Sequence, residues 1–124
     1  MAFYTEWINE PYIIATNYTG HVLGSEFDMN MLEYLGIVQA QPAYILLDMS
    51  KVESLPTQLL QLSSLGQVIA HPNSSWLSIV IPGQVENIRT TRMLARDKVK
   101  LFPDRNTALA FLRAMVRVDT GIVL

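Results

Sequence analysis

The apolar positions of this chain fall into blocks whose period switches between that of a strand and that of a helix. Tyr12–Ile13–Ile14–Ala15–Thr16 is rich in β-formers and stops at Thr19–Gly20, which predicts a strand. Trp7–Ile8 predicts a shorter strand before it, with Asn9–Glu10–Pro11 as the turn. From Ser25 the period becomes helical: Phe27, Met31, Tyr34, Leu35 and Val38 share one face. Ser25 is the expected N-cap, Glu26 and Asp28 favour the helix dipole, and Gln41–Pro42 is the stop. Tyr44–Ile45–Leu46–Leu47 is a continuous apolar run closing on Asp48–Met49–Ser50, as expected of a strand covered on both faces.

A second helix is predicted after Ser54, with Pro56 in its first turn. Leu55, Leu59, Leu62, Leu65 and Ile69 line its core side, and Gly66 lies in the same arc. Trp76 to Ile81 reads as a strand ended by Pro82–Gly83, and about Val85 to Arg96 as a third helix. Val99–Phe102 is a short last strand. Asp104 or Asn106 caps a final helix with Ala108, Phe111, Leu112 and Met115 on its face, and Val118–Leu124 adds a strand or frays. Strand–helix alternation with short connections predicts an α/β domain whose sheet is mixed and mostly parallel, with the two N-terminal strands antiparallel at one edge.

Composition narrows the classes. The 124 residues fit one domain, residues 1–124. Half are hydrophobic and 16% charged, which sets the chain apart from disordered sequences. No apolar stretch approaches the roughly 20 residues that span a bilayer. Met1–Glu10 has two acids and no base, unlike a secretory signal, so a cytoplasmic protein is expected. With no cysteine there is neither a disulfide nor a thiolate site. Charge is uneven. Residues 1–88 hold eight acids and one base (−7), and residues 89–124 eight bases and three acids (+5). Nucleic acid is a poor match, because the net charge is −2 and no aromatic platform lies among the bases.

The segment Tyr44–Ile45–Leu46–Leu47–Asp48–Met49–Ser50–Lys51–Val52 resembles the core strand of the STAS domain, the family of SpoIIAA-like anti-sigma-factor antagonists, in which an apolar run enters D-x-S-x-V. Val99–Lys100–Leu101–Phe102–Pro103–Asp104, followed by Ala108 and Leu112, resembles that family's last strand and C-terminal helix. The resemblance implies a STAS-like sheet of four or five strands with about four helices. It also implies a non-enzymatic regulatory role, in which the helix after the core strand docks a protein partner. The family's phosphoacceptor motif reads Asp-Ser-Ser-Gly, and the matching stretch here is Pro56–Thr57–Gln58–Leu59. Thr57 is therefore the phosphoacceptor candidate.

Candidate chemistry in the residues is sparse. His21 and His71 stand apart without metal-ligand spacing, so no metal or cofactor is expected. Asp48 lies at a strand's C-terminal end, where open α/β sheets bind ligands, but no partner base accompanies it. Asp48 and Ser50 are expected to shape the strand–helix loop. Arg89, Arg92 and Arg96 form an i, i+3, i+7 stripe able to bind an anion. No charge lies between Glu53 and Glu86, so the outer face of the second helix reads as covered by a protein partner or a second copy in a homodimer. The expected contacts are Ser54, Thr57, Leu60, Ser64 and Val68. The alternative is a small-ligand or lipid-binding module with Met29, Met31 and Leu32 lining an apolar pocket. An enzyme using Asp48 is the remaining option.

Overall fold

The computed structural model describes residues 3–54, 63–81 and 98–124. Five strands form one sheet in the order β1-β2-β3-β4-β5. They are β1 (Phe3–Asn9), β2 (Ile13–His21), β3 (Ala43–Ser54), β4 (Ser74–Val80) and β5 (Val99–Phe102). β1 runs antiparallel to β2, and the other three pairings are parallel. The described helices are α1 (Gly24–Ala40), α2 (Ser63–Ala70) and α3 (Arg105–Thr120). The third helix predicted over residues 85–96 lies outside the described residues, as do Thr57, Leu60, Arg89, Arg92 and Arg96. Among the described residues no helix is long and apolar enough to cross a membrane.

Alternation along β3 divides the core in two. Ala43, Ile45, Leu47 and Met49 pack beneath α1 and α2, with Phe27, Met31, Tyr34, Val38, Leu65 and Val68. Tyr44 and Leu46 face the other way, onto Ala108, Leu109, Leu112 and Val116 of α3. Cover on both faces is why this strand is apolar at successive positions.

Several local expectations change. Ser25 is not the cap of α1, which begins one residue earlier; the Glu26 carboxylate reaches back to accept the Leu23 N–H at 3.1 Å. The strand through Asp48 continues six residues further, to Ser54. α3 is capped by Asp104, whose Oδ1 accepts the Thr107 N–H at 2.8 Å. Its buried side includes Leu109 and Val116, while Phe111 sits on the flank, edge-on to Trp76 at 5.1 Å between ring centroids. The tail forms no strand. The helix runs to Thr120 and closes on Gly121 at φ 77°, a conformation that glycine adopts without steric cost.

The largest correction concerns α2. Ser64 and Val68, expected on an outer partner-binding face, are buried, and Gly66 is exposed with open space at its Cβ position. The cause is a bond to α1: the Ser64 hydroxyl donates to Asp28 Oδ1, so its side chain enters the core already paired. Val68 follows one turn later, and the outward residues are Ser63, Gly66, Gln67 and Ala70.

A second buried polar group unites α1 with the N-terminal strands. Asn30 is fully buried; its Oδ1 accepts from Tyr18 Oη, and its Nδ2 donates to Glu33 Oε1 at 3.2 Å and to Thr5 Oγ1 at 3.3 Å. Tyr34 Oη and Thr16 Oγ1 share a bond of 2.6 Å beside it. Burial drives the ionisation of both tyrosines well above the usual phenol range. Truncating Asn30 leaves the Tyr18 hydroxyl unpaired in the interior. Asn30→Ala should therefore lower the unfolding free energy by about 2 kcal/mol, read as a reduced urea midpoint at unchanged slope.

Candidate functional site

The sheet register assembles a polar site that spacing in the chain conceals. Tyr4 lies opposite Asn17, and Asn17 opposite Asp48. The three side chains therefore form one cross-strand row on the α3 face, next to Glu6 on the adjacent row. α3 packs over β3, β4 and β5, so it leaves the β1–β2 end of that face partly open: Tyr4 is 58% exposed.

Arg105, the first residue of α3, reaches across this row. Its Nη1 donates to Asn17 Oδ1 at 2.6 Å and to Asp48 Oδ2 at 3.0 Å, and its Nη2 donates to Glu6 Oε1 at 3.2 Å. One guanidinium thus joins β1, β2 and β3 to the start of α3. At the other end of the helix, Tyr44 Oη donates to Asp119 Oδ2 at 2.9 Å, so β3 holds α3 at both ends.

Asp48 has a second task. Between Asp48 and Lys51, β3 carries one residue more than β2 does between Asn17 and Thr19, which is a bulge in a parallel pair. A bulge takes a residue out of the ladder, and Asp48 Oδ1 accepts both the backbone N–H of Ser50 at 3.0 Å and its hydroxyl at 2.6 Å. Met49 between them turns into the core. Asp48 and Ser50 therefore shape this segment, though as a bulge inside a strand and not as a loop. Burial pushes the Asp48 carboxyl up, but the bonds from Ser50 and the Arg105 guanidinium outweigh it, and the net shift is downward.

The other predicted site residues lie elsewhere. Ser54 ends β3, exposed, with its Oγ 2.7 Å from His21 Nδ1, while His21 Nε2 lies 3.1 Å from Glu53. His71 Nδ1 accepts the Asn73 N–H in the turn before β4. Among the described residues no three side chains form a metal-binding group. Met31 is core, whereas Met29 and Leu32 are each 55% exposed, so they do not line a common pocket. A cavity of about 410 Å³ lies instead at the polar row, lined by Tyr4, Asn17, Tyr18, Thr19, Asp48, Ser50, Lys51 and Arg105.

Comparison with solved structures shows what this architecture is similar to. One such structure is the crystal structure of an uncharacterized protein from the DUF3478 family, from Shewanella loihica PV-4, which has a SpoIIAA-like fold. The two superpose with a TM-score of 0.60 over 90% of this chain and 93% of that one, at 18% sequence identity. The chain has a SpoIIAA-like fold. Among the described residues, the expected order of the strands and the antiparallel edge pair of this SpoIIAA-like sheet are those observed. No family model matches the chain, and no curated protein does.

Arg105 is the site residue that sequence reasoning missed. The available signal was an aspartate closing an apolar, two-sided strand, since a buried carboxylate requires a cation. Asp48→Asn should separate the two tasks. The amide oxygen can still accept from Ser50, while the charge pairing with Arg105 is lost. The folded-state pKa of Asp48 is depressed, so its contribution is present above the ordinary aspartate pKa and is lost as pH falls through the lower folded value. Wild type should thus lose stability on acidification across that window more steeply than Asp48→Asn, as measured by urea unfolding at stepped pH.

Proposed function

We propose that this chain is a non-enzymatic regulatory domain that acts by binding another protein through the exposed end of β3 and the residues that follow it. The observation carrying this reading is that β3 outruns β4. Their pairing ends at Asp48–Val80, and β3 continues to Ser54 with Ser50, Lys51, Glu53 and Ser54 exposed. This end is braced rather than loose: His21 bonds to Ser54 and Glu53, and the Ser54 carbonyl accepts the Val22 N–H at 3.0 Å. A braced, polar, exposed strand end suits recognition, because little conformational entropy remains to be lost on binding.

The state of Asp48 supports the non-enzymatic side of the reading. Both its oxygens are bonded within the fold, and the downward shift leaves it ionised, so it is a poor proton donor at neutral pH. The SpoIIAA-like fold and the D-x-S-x-V segment are consistent with an anti-sigma-antagonist type of role. In this reading Thr57, three residues after the braced end, is the phosphoacceptor that switches binding.

A photo-crosslinking side chain at position 54 tests the surface, with the same group at Val118, which is 73% exposed on α3, as the control. The expected result in cells is one adduct of defined mass from position 54 and none from position 118. Equal labelling from both positions, or none from position 54, overturns the reading.

A further inference from the structure

The cavity beside the Asp48–Arg105 pair has a chemistry of its own. Its lining holds two cations, Lys51 and Arg105, against one anion, Asp48. Arg105 is committed to Asp48, to Asn17 and, beyond the lining, to Glu6, which makes the arginine a structural charge. The Lys51 ammonium has no ion-pair partner among the described residues. Asn17, also in the wall, has a buried Nδ2 that finds no acceptor. A buried amide donor without an acceptor is rare in folded proteins and calls for an explanation. The wall is thus short of acceptors, and its one uncompensated charge is positive.

The remaining lining adds shape. Tyr4, 58% exposed, brings an aromatic residue to the lining, and Thr19 a hydroxyl-bearing one. The volume, about 410 Å³, lies within the range of small-molecule sites. The position is also favourable, since ligands of open α/β sheets bind toward the carboxyl ends of parallel strands, and Thr19, Ser50 and Lys51 of the lining lie toward that end of β2 and β3. The cavity lies at the bulge of Met49 and Ser50, just before Lys51 rejoins the ladder opposite Thr19, and bulges recur beside functional sites.

We propose that this cavity binds a small organic oxyanion, a phosphate monoester or a carboxylate, with Lys51 as its charge partner, a hydroxyl bond from Thr19, and the body of the ligand against the Tyr4 ring. Met29, Met31 and Leu32, expected to line an apolar pocket, are not part of this lining. Ser50 and Lys51 belong both to this lining and to the exposed end of β3, but the proposal does not rest on protein docking there: titration with a small ligand reads the cavity alone, and crosslinking from position 54 reads the partner alone.

Isothermal titration of the full chain with inorganic phosphate, adenosine monophosphate and citrate tests the site. Adenosine monophosphate or citrate should bind saturably with a Kd below about 1 mM. Lys51→Glu should weaken that binding by about tenfold or more, and Lys51→Ala by less, at unchanged melting temperature, since Lys51 is exposed. Tyr4→Ala should weaken adenosine monophosphate but leave inorganic phosphate as in wild type, which separates recognition of the body from recognition of the oxyanion. Preference for adenosine monophosphate assigns a phosphate monoester, and preference for citrate a carboxylate. Absence of binding by all three at about 10 mM, or binding equal in wild type and Lys51→Glu, overturns the proposal.

Discussion

The Arg105–Asp48 ion pair is the contact on which the open end of this sheet depends. Asp48 sits in the middle strand with its carboxylate nearly covered, and desolvation alone would drive it toward the neutral form. Arg105 supplies the compensating charge, and its planar fork allows the same group to hold Asn17 and Glu6. Three strands and a helix therefore share one guanidinium. The pair is not simply a gain in stability, because the Asp48 carboxylate leaves water to form it, and removing Arg105 would leave that carboxylate buried without compensation. Its value lies in fixing where α3 begins and how the polar row is arranged.

The second consequence of Asp48 is geometric. A parallel ladder tolerates an extra residue poorly, since the displaced backbone N–H loses its partner. Asp48 supplies that partner through its other oxygen, so the carboxylate that is neutralised by Arg105 on one side stabilises the bulge on the other. The aspartate and serine of the D-x-S segment are thereby explained by backbone chemistry, with the intervening methionine serving the opposite core.

Much of this fold is readable in the order of residues, and the exceptions have a common cause. β3 announces itself because cover on both faces leaves no polar alternation, and α1 does so because Phe27, Met31, Tyr34 and Val38 recur at helical spacing. Helix α2 misleads because it is uncharged all round. Leucines at 59, 62 and 65 suggested one orientation, and Leu65 is buried as expected, yet Ser64 and Val68 are buried with it, since a serine can enter a core when an aspartate on the neighbouring helix accepts its hydrogen bond. The polar site was only half visible. Asp48 and Ser50 stand two apart in sequence and could be read together, but Arg105 lies 57 residues from Asp48 and 99 from Glu6. Only the register of the sheet and the capping of α3 by Asp104 bring those groups to one place.

That separation also bears on how the protein is made. During synthesis, β1 through β4 leave the ribosome well before Arg105 does, and in that interval Asp48 and Glu6 have no guanidinium to meet. A nascent sheet would then carry its central carboxylate without a counter-charge, which favours water access and delays consolidation of that end. Completion waits on a contact that spans nearly the whole chain, the class of contact that slows folding most. The first strand can pair with β2 early, but its Glu6 meets a cation only once the last helix has begun.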